Sequence, residues 1–223
     1  LNRGKIDQEY PLFILYNKSN IPGRPESIGV HTSKILDKSY KNKKYKIVLK
    51  SLLKGCQLLR KSNCKFIVIP CNTAHYWYDD LKKKINLPFI NMPKEVFKHT
   101  IKKCKKNSSI GLLATEGTLK TGVYNKYFDQ DYVLISPSPI LQRNSVNKAI
   151  KFVKMGNVKK ASKIIQPAIK YLIKKKCKKI ILGCTELPIA IFAFRSFKEI
   201  KTSKLFLDPN LILAQSAMRR YNR

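Results

Sequence analysis

Two short segments constrain this chain more than anything else in it: residues 67–74, IVIPCNTA, and residues 180–187, IILGCTEL. Each passes from an apolar, β-branched run through Pro or Gly to a cysteine, then to small polar residues leading toward a helix. Cys71 and Cys184 are 113 positions apart in a chain of 223 residues, so a weak internal repeat divides it into two similar halves. Further strand-type runs lie at 11–17 (PLFILYN), 65–69, 87–91, 109–114, 132–135, 179–182 and 204–207. Segments of helical period separate them, at 45–61, 74–85, 93–105, 119–128, 140–154, 158–175 and 209–221, with Pro93 and Pro209 suited to a first helical turn. The strand runs are nearly continuous in apolar residues, as parallel strands covered on both faces require. The fold class is therefore α/β, expected as two pseudo-symmetric three-layer halves with mostly parallel sheets. A Lys-, Asn- and Ser-rich stretch at 100–108 marks the boundary, giving halves 1–100 plus 208–223 and 101–207.

Composition at first points elsewhere. Lys and Arg total 46 against 13 Asp and Glu, a formal net charge of +33. Such a balance ordinarily implies nucleic acid, an anionic membrane surface or an acidic substrate. The bases, however, are 38 Lys and only 8 Arg, whereas base-edge and bidentate phosphate recognition favour Arg. The densest runs, 41–50, 102–106 and 174–179, fall on helix surfaces and turns, so a solvated lysine surface is the better reading than a specific nucleic-acid partner. No apolar run reaches the length of a membrane span, and no secretory signal opens the sequence, so a soluble, cytoplasmic protein is expected.

Six cysteines, at 56, 64, 71, 104, 177 and 184, form no CxxC pair and no zinc-type cluster with the histidines at 31, 75 and 99, so no metal site is expected. Cys56, Cys64, Cys104 and Cys177 read as small buried hydrophobes. Cys71 and Cys184 differ, because each follows a strand and precedes a helix start, the end of a parallel sheet where ligands bind. Helix N-termini there are expected to stabilise thiolates and lower both thiol pKa values. Asn72 and Thr73 beside one cysteine, and Thr185 and Glu186 beside the other, add compact hydrogen-bonding groups.

With these features in place, the sequence resembles the cofactor-independent aspartate/glutamate racemase superfamily, and within it the aspartate racemases. PCNTAH at 70–75 and GCTELP at 183–188 carry the resemblance. IPGR at 21–24, GLLATEGT at 111–118, VKMGN at 153–157 and LDP at 207–209 support it in the same order. It implies a 1,1-proton transfer at the α-carbon of a small acidic amino acid, with no pyridoxal phosphate or metal, by a homodimer. One cysteine removes the α-proton and the other reprotonates the opposite face, so Cys71 and Cys184 are the implied acid/base pair with coupled titrations. The same resemblance assigns Asn72, Thr73, Thr115, Thr118 and Thr185 to the α-carboxylate and amino group, and Arg24 and Lys154 to the substrate carboxylates. Glu186 is assigned to the ammonium group or the neighbouring Cys184, and a Glu rather than a His there favours the aspartate branch. His75 reads as a packing or capping residue. Other readings are a hydantoin-type racemase, a maleate-type isomerase or a decarboxylase. An inactive scaffold that binds polyanions is a further reading.

Three departures accompany the resemblance. Gly23 stands where the family carries an acid, which is expected to loosen the loop holding Arg24. Residues 41–46 read as a surface insertion. The family's opening strand, Gly-rich turn and helix correspond to nothing at or after Leu1, so the first strand and helix are expected to be missing and two inner strand edges unpaired. A chain starting at Leu1 is then expected to melt weakly and turn over slowly. Calorimetry and racemase assays beside an N-terminally extended form check this, and a cooperative melt with equal turnover would refute it.

Overall fold

The computed structural model describes residue 6 and residues 9–28, 43–192 and 204–222. Twelve α-helical segments and six strands can be followed among them. The first part contains α1 (Arg24–Ser27), α2 (Lys43–Lys61), β1 (Ile67–Val68), a 3-10 turn (Thr73–Trp77) running into α3 (Tyr78–Lys84), β2 (Phe89–Ile90) and α4 (Met92–Ile101). Next come β3 (Ser109–Ala114), α5 (Glu116–Lys120), α6 (Asn125–Phe128) and β4 (Val133–Ile135). The π-helical turn Gln142–Asn147 joins α7 (Pro139–Leu141) to α8 (Lys148–Lys154). The chain continues through α9 (Val158–Ile164), α10 (Gln166–Lys174), β5 (Lys179–Gly183), α11 (Leu187–Phe192), β6 (Phe206–Leu207) and α12 (Pro209–Tyr221). None of the described helices is long and apolar enough to cross a membrane.

Every strand pair is parallel. β1 pairs with β2, while the larger sheet has the order β4-β3-β5-β6. The β3–β5 ladder runs from Ile110↔Lys179 to Ala114↔Gly183 and forms the centre of that sheet. Its side chains alternate between two cores. Ile110, Leu112, Ala114 and Ile181 face one cluster with Val96, Tyr124, Phe128 and Ile212. Leu113, Ile180 and Leu182 face the other, with Ile150, Ile169, Leu172 and Leu187. Full burial on both faces explains why these strands read as continuous apolar runs. A third cluster packs Ile67 of β1 against Val48 and Cys56 of α2, Trp77, and Leu81 of α3. The last helix, α12, packs on α4 and β2 and also touches β5.

The helical segments break where the sequence supplies a reason. The expected helix 119–128 divides at Gly122, which takes φ +60°. The expected helix 158–175 is interrupted at Ile165, ahead of Pro167, which has no N–H to give. Pro93 and Pro209 do stand in first turns, and the side chains of Asn91 and Asp208 cap those two helices.

One expectation needs correction. Residues 11–17 are not a strand. Among the described residues they join no ladder, and Leu12, Phe13 and Leu15 are 87%, 78% and 76% exposed. Strand propensity cannot act without a neighbour to take the backbone hydrogen bonds. Tyr16 gives this segment its contact, lying over Gly55 of α2. Residues 43–46 form the first turn of α2, with Lys43, Lys44 and Lys46 exposed and Tyr45 buried. The Tyr45 ring stacks on Trp77 with centroids 5.3 Å apart, its hydroxyl donates to Asp80, and its carbonyl accepts from the Trp77 indole at 3.2 Å. Residues 41 and 42 lie outside the described residues.

Candidate active site

The two cysteine segments share a tight turn at the cysteine, and the helical turn that follows begins one residue later after Cys71 than after Cys184. Cys71 N–H donates to the Ile69 carbonyl at 2.8 Å, and Cys184 N–H donates to the Leu182 carbonyl at 2.8 Å. Close behind, His75 N–H donates to Asn72 O and Leu187 N–H donates to Cys184 O, each at 3.1 Å. Both strands therefore end in a tight three-residue turn that presents the cysteine and leads into a helical turn. Gly183 is needed at the second turn. A Cβ there would lie 3.0 Å from the Ala114 Cβ and 3.2 Å from the Leu113 carbonyl oxygen.

Hydroxyl contacts connect the two sets of loops. Thr73 Oγ1 is 2.8 Å from Thr118 Oγ1 and 3.1 Å from Thr115 Oγ1, and these two are 3.1 Å from one another. Thr115 also caps α5 by accepting from Thr118 N–H. Ala114, the residue before Thr115, is paired with Gly183, the residue before Cys184. Thr73 lies two residues after Cys71. The threonine triangle thus joins the Cys71 segment to the end of β3, whose paired neighbour β5 bears Cys184. Arg24, half-buried, begins α1, and its neighbour Pro25 lies against Gly117, where a Cβ would come within 3.1 Å of Pro25 Cα and Thr73 Cγ2. The helical turn that carries Arg24 is closed by Ser27, whose N–H and Oγ both donate to the Gly23 carbonyl, at 3.0 and 2.7 Å.

Around Cys184 the electrostatics run against the expected thiolate. Its Sγ–H donates to Glu186 Oε2 at 2.9 Å, and Thr185 Oγ1 donates to the same oxygen at 2.9 Å. Burial pushes the Cys184 pKa well above its ordinary value, and the Glu186 carboxylate raises it further. Any helix-end stabilisation by the short α11 is overridden, so the expectation of a lowered pKa at Cys184 is wrong in sign. Glu186 is itself half-buried. Burial favours its neutral form, yet the bonds from Cys184 and Thr185 and the Lys154 charge outweigh this and hold its pKa below the usual value. Lys154 Nζ lies 3.7 Å from Glu186 Oε1, with its side chain 62% exposed.

Asn72 is buried, and its Oδ1 accepts from the Tyr124 hydroxyl at 2.6 Å. Burial, and then the charges of Asp208 and Cys184, keep the Tyr124 phenol protonated and able to donate. The other end of the amide, Asn72 Nδ2, has no partner among the described residues, an arrangement that a bound acceptor would satisfy. His75 bridges two backbones, with Nδ1 donating to Cys71 O at 2.9 Å and Nε2 accepting from Met92 N–H at 3.0 Å. Neither Tyr124 nor the buried Gln142 stands out in the sequence. Gln142 Nε2 donates to the Ala114 carbonyl at 2.9 Å and to Asn147, which in turn donates to Glu116. A π-helical turn aims Gln142 inward, and no motif announces such a turn.

A model of the Asp/Glu/Hydantoin racemase family matches residues 1–217. The chain belongs to that family. The broad specificity amino-acid racemase RacX of Bacillus subtilis (strain 168) is 24% identical over 172 residues, 77% of this chain and 71% of that protein. The glutamate racemase of Corynebacterium diphtheriae is 29% identical over 142 residues, 62% of this chain and 51% of that enzyme. The chain thus matches about half the length of this glutamate racemase. Among solved structures, Picrophilus torridus aspartate racemase superposes with a TM-score of 0.75 at 24% identity, covering 98% of this chain and 83% of that one. An aspartate racemase homologue from Pyrococcus horikoshii OT3 does so at 0.63 and 21%, covering 85% and 82%. At these identities the structural likeness establishes the shared α/β racemase fold.

The His75 bridge needs a neutral ring, and burial lowers its pKa from 6.5 to about 4. The folded state therefore binds fewer protons than the unfolded chain between these values. The contribution, about 3 kcal/mol, is complete above the unfolded pKa and is lost as pH falls through the folded one. An NMR titration of the His75 ring should give a midpoint near 4, with urea stability falling over the same range. A midpoint at the ordinary value would show that the bridge does not form.

Proposed function

We propose that the chain is an amino-acid racemase acting on aspartate, with glutamate as a lesser substrate, through two cysteines and no cofactor. The threonine triangle carries this reading, because it ties the Cys71 segment to the end of β3, beside the end of β5 that bears Cys184, and so supports one site fed by both halves. The aspartate racemase of Picrophilus torridus, which shares the fold, and the Glu at position 186 support the choice of substrate.

In this reading the Cys71 thiolate takes the α-proton, so that a C–H bond breaks, an S–H bond forms and the electron pair stays on the α-carbon. The Cys184 thiol then gives its proton to the opposite face, leaving Cys184 as thiolate and Cys71 as thiol. The reverse direction exchanges these roles. Glu186 supports the acid role by accepting the Cys184 S–H hydrogen bond and disfavouring the thiolate. Lys154 limits the cost once that proton has left, since its charge lowers the Cys184 pKa. The carbanionic transition state calls for donors aimed at the α-carboxylate. Asn72 Nδ2 is available for this, with Thr73, Thr115, Thr118 and Thr185 as neighbouring hydroxyls. Arg24 offers a planar fork for a carboxylate, and Lys154 is sufficiently exposed to meet the second one.

Solvent deuterium should enter the α-position of both L- and D-aspartate when the enzyme turns over, as followed by NMR. Cys71→Ser and Cys184→Ser should each cut racemisation by roughly 10²–10⁴-fold, and full racemisation by either variant would remove the two-base assignment. Glu186→Gln should move Cys184 thiolate formation to lower pH, because the variant loses both the opposing charge and the strong acceptor. Ultraviolet thiolate absorbance reads this directly, and an unmoved titration would show that Glu186 does not hold the Cys184 proton.

A further inference from the structure

Away from these loops, α4 and α12 run past one another and leave a cavity of about 400 Å³. Its walls carry Lys98 and Lys102 from α4 and its C-terminal end and Arg219 and Arg220 from α12, with Ile90 and Ile101 adding apolar surface. One carboxylate, Glu95, shares the space. It pairs with Lys98 at 2.7 Å and accepts from Ser216 Oγ at 2.9 Å, and Ser216 accepts in turn from Arg219 Nη2 at 2.6 Å. Arg220 lies over the Phe66 ring, 5.8 Å from its centroid. Among the described residues, neither Lys102 nor Arg220 has a carboxylate at ion-pair distance.

Four cations less Glu95 leave three positive charges. The C-terminal ends of α4 and α12 also approach this cavity, and each contributes about half a negative charge, so about +2 remains. His99, in the same wall, reports that field. Burial lowers its pKa, and the charges of Lys103, Arg219, Lys179 and Lys102 lower it further. Two of the chain's 8 arginines are adjacent here, and the guanidinium fork matches phosphate oxygens.

We propose that this cavity binds a small phosphate dianion, with Arg219 and Arg220 gripping the phosphate oxygens, Lys102 adding charge, and Ile90 and Ile101 meeting an organic remainder. The site is independent of the racemase chemistry, so the two readings stand or fall separately. Calorimetric titration of the full chain in about 0.15 M salt, with glycerol 3-phosphate and with inorganic phosphate, tests it. Saturable binding at one site per chain is expected, weakened at least tenfold by Arg219→Ala with Arg220→Ala. Lys102→Glu should weaken it similarly, at an exposed side chain at the C-terminal end of α4. Lys174→Ala with Lys175→Ala, remote from the cavity, should change nothing. Tighter binding of the ester supports a phosphorylated metabolite, and equal binding supports free phosphate. Absence of saturation, several sites per chain, or equal weakening by the remote pair would overturn the proposal in favour of diffuse attraction to a basic surface.

Discussion

The pairing of β3 with β5 is the constraint from which the rest of this molecule follows. Its register ends at Ala114↔Gly183, so Thr115 and Cys184 leave the sheet side by side. That register depends on a missing side chain. With only 3.0 Å from a Gly183 Cβ position to the Ala114 Cβ, and 3.2 Å to the Leu113 carbonyl oxygen, a larger residue would have to displace its neighbours by a few tenths of an ångström. Two packed cores, one on each face, then prevent a one-residue slip, which would exchange every side chain between them. The threonine triangle inherits this precision, and through Thr73 so does the Cys71 turn.

The charge of the chain belongs to a different level of organisation. Among the described residues, four ion pairs join lysines to acids, Lys98–Glu95, Lys106–Asp131, Lys126–Asp79 and Lys154–Glu186, and all four lysines are more than half exposed. Pairs of that kind contribute little to stability. The fourth, Lys154–Glu186, reaches a half-buried acid in contact with Cys184, and there one lysine among 38 alters the chemistry of its neighbour. What distinguishes Lys154 from the other paired lysines is its reach through Glu186 to Cys184, not its exposure.

What the sequence disclosed and what it hid divide along the same physical line. Both cysteine turns, the parallel strands and the first turns at Pro93 and Pro209 were legible because each is a local pattern: an apolar run, a Pro or Gly, a short polar side chain. Tyr124 was hidden because its meaning is a bond to Asn72, 52 positions away. Gln142 was hidden because a π-helical turn re-aims it without leaving a motif. The segment 11–17 misled for the complementary reason: its apolar pattern is that of a strand, but strand formation depends on a neighbour that no local pattern encodes. The Cys184 pKa misled in the same way. A helix start beside a thiol is visible in sequence, whereas the burial and the orientation of Glu186 that reverse its effect are not.

That reversal gives the two cysteines unequal environments despite their matching backbone turns. Cys71 is partly accessible and faces no carboxylate at hydrogen-bond distance among the described residues, whereas Cys184 is buried and donates to one. A symmetric pair would have to partition one proton between two equivalent sulfurs, with much of the population carrying two protons or none. Glu186 favours S–H at position 184, which in the proposed two-base reading makes Cys184 the proton donor. In the proposed two-base transfer the two cysteine segments would supply the opposed faces, and the carboxylate beside Cys184 the defined starting protonation state. Two-base proton transfer needs both, since opposed faces without a biased proton leave a large share of molecules in a form that cannot begin the reaction.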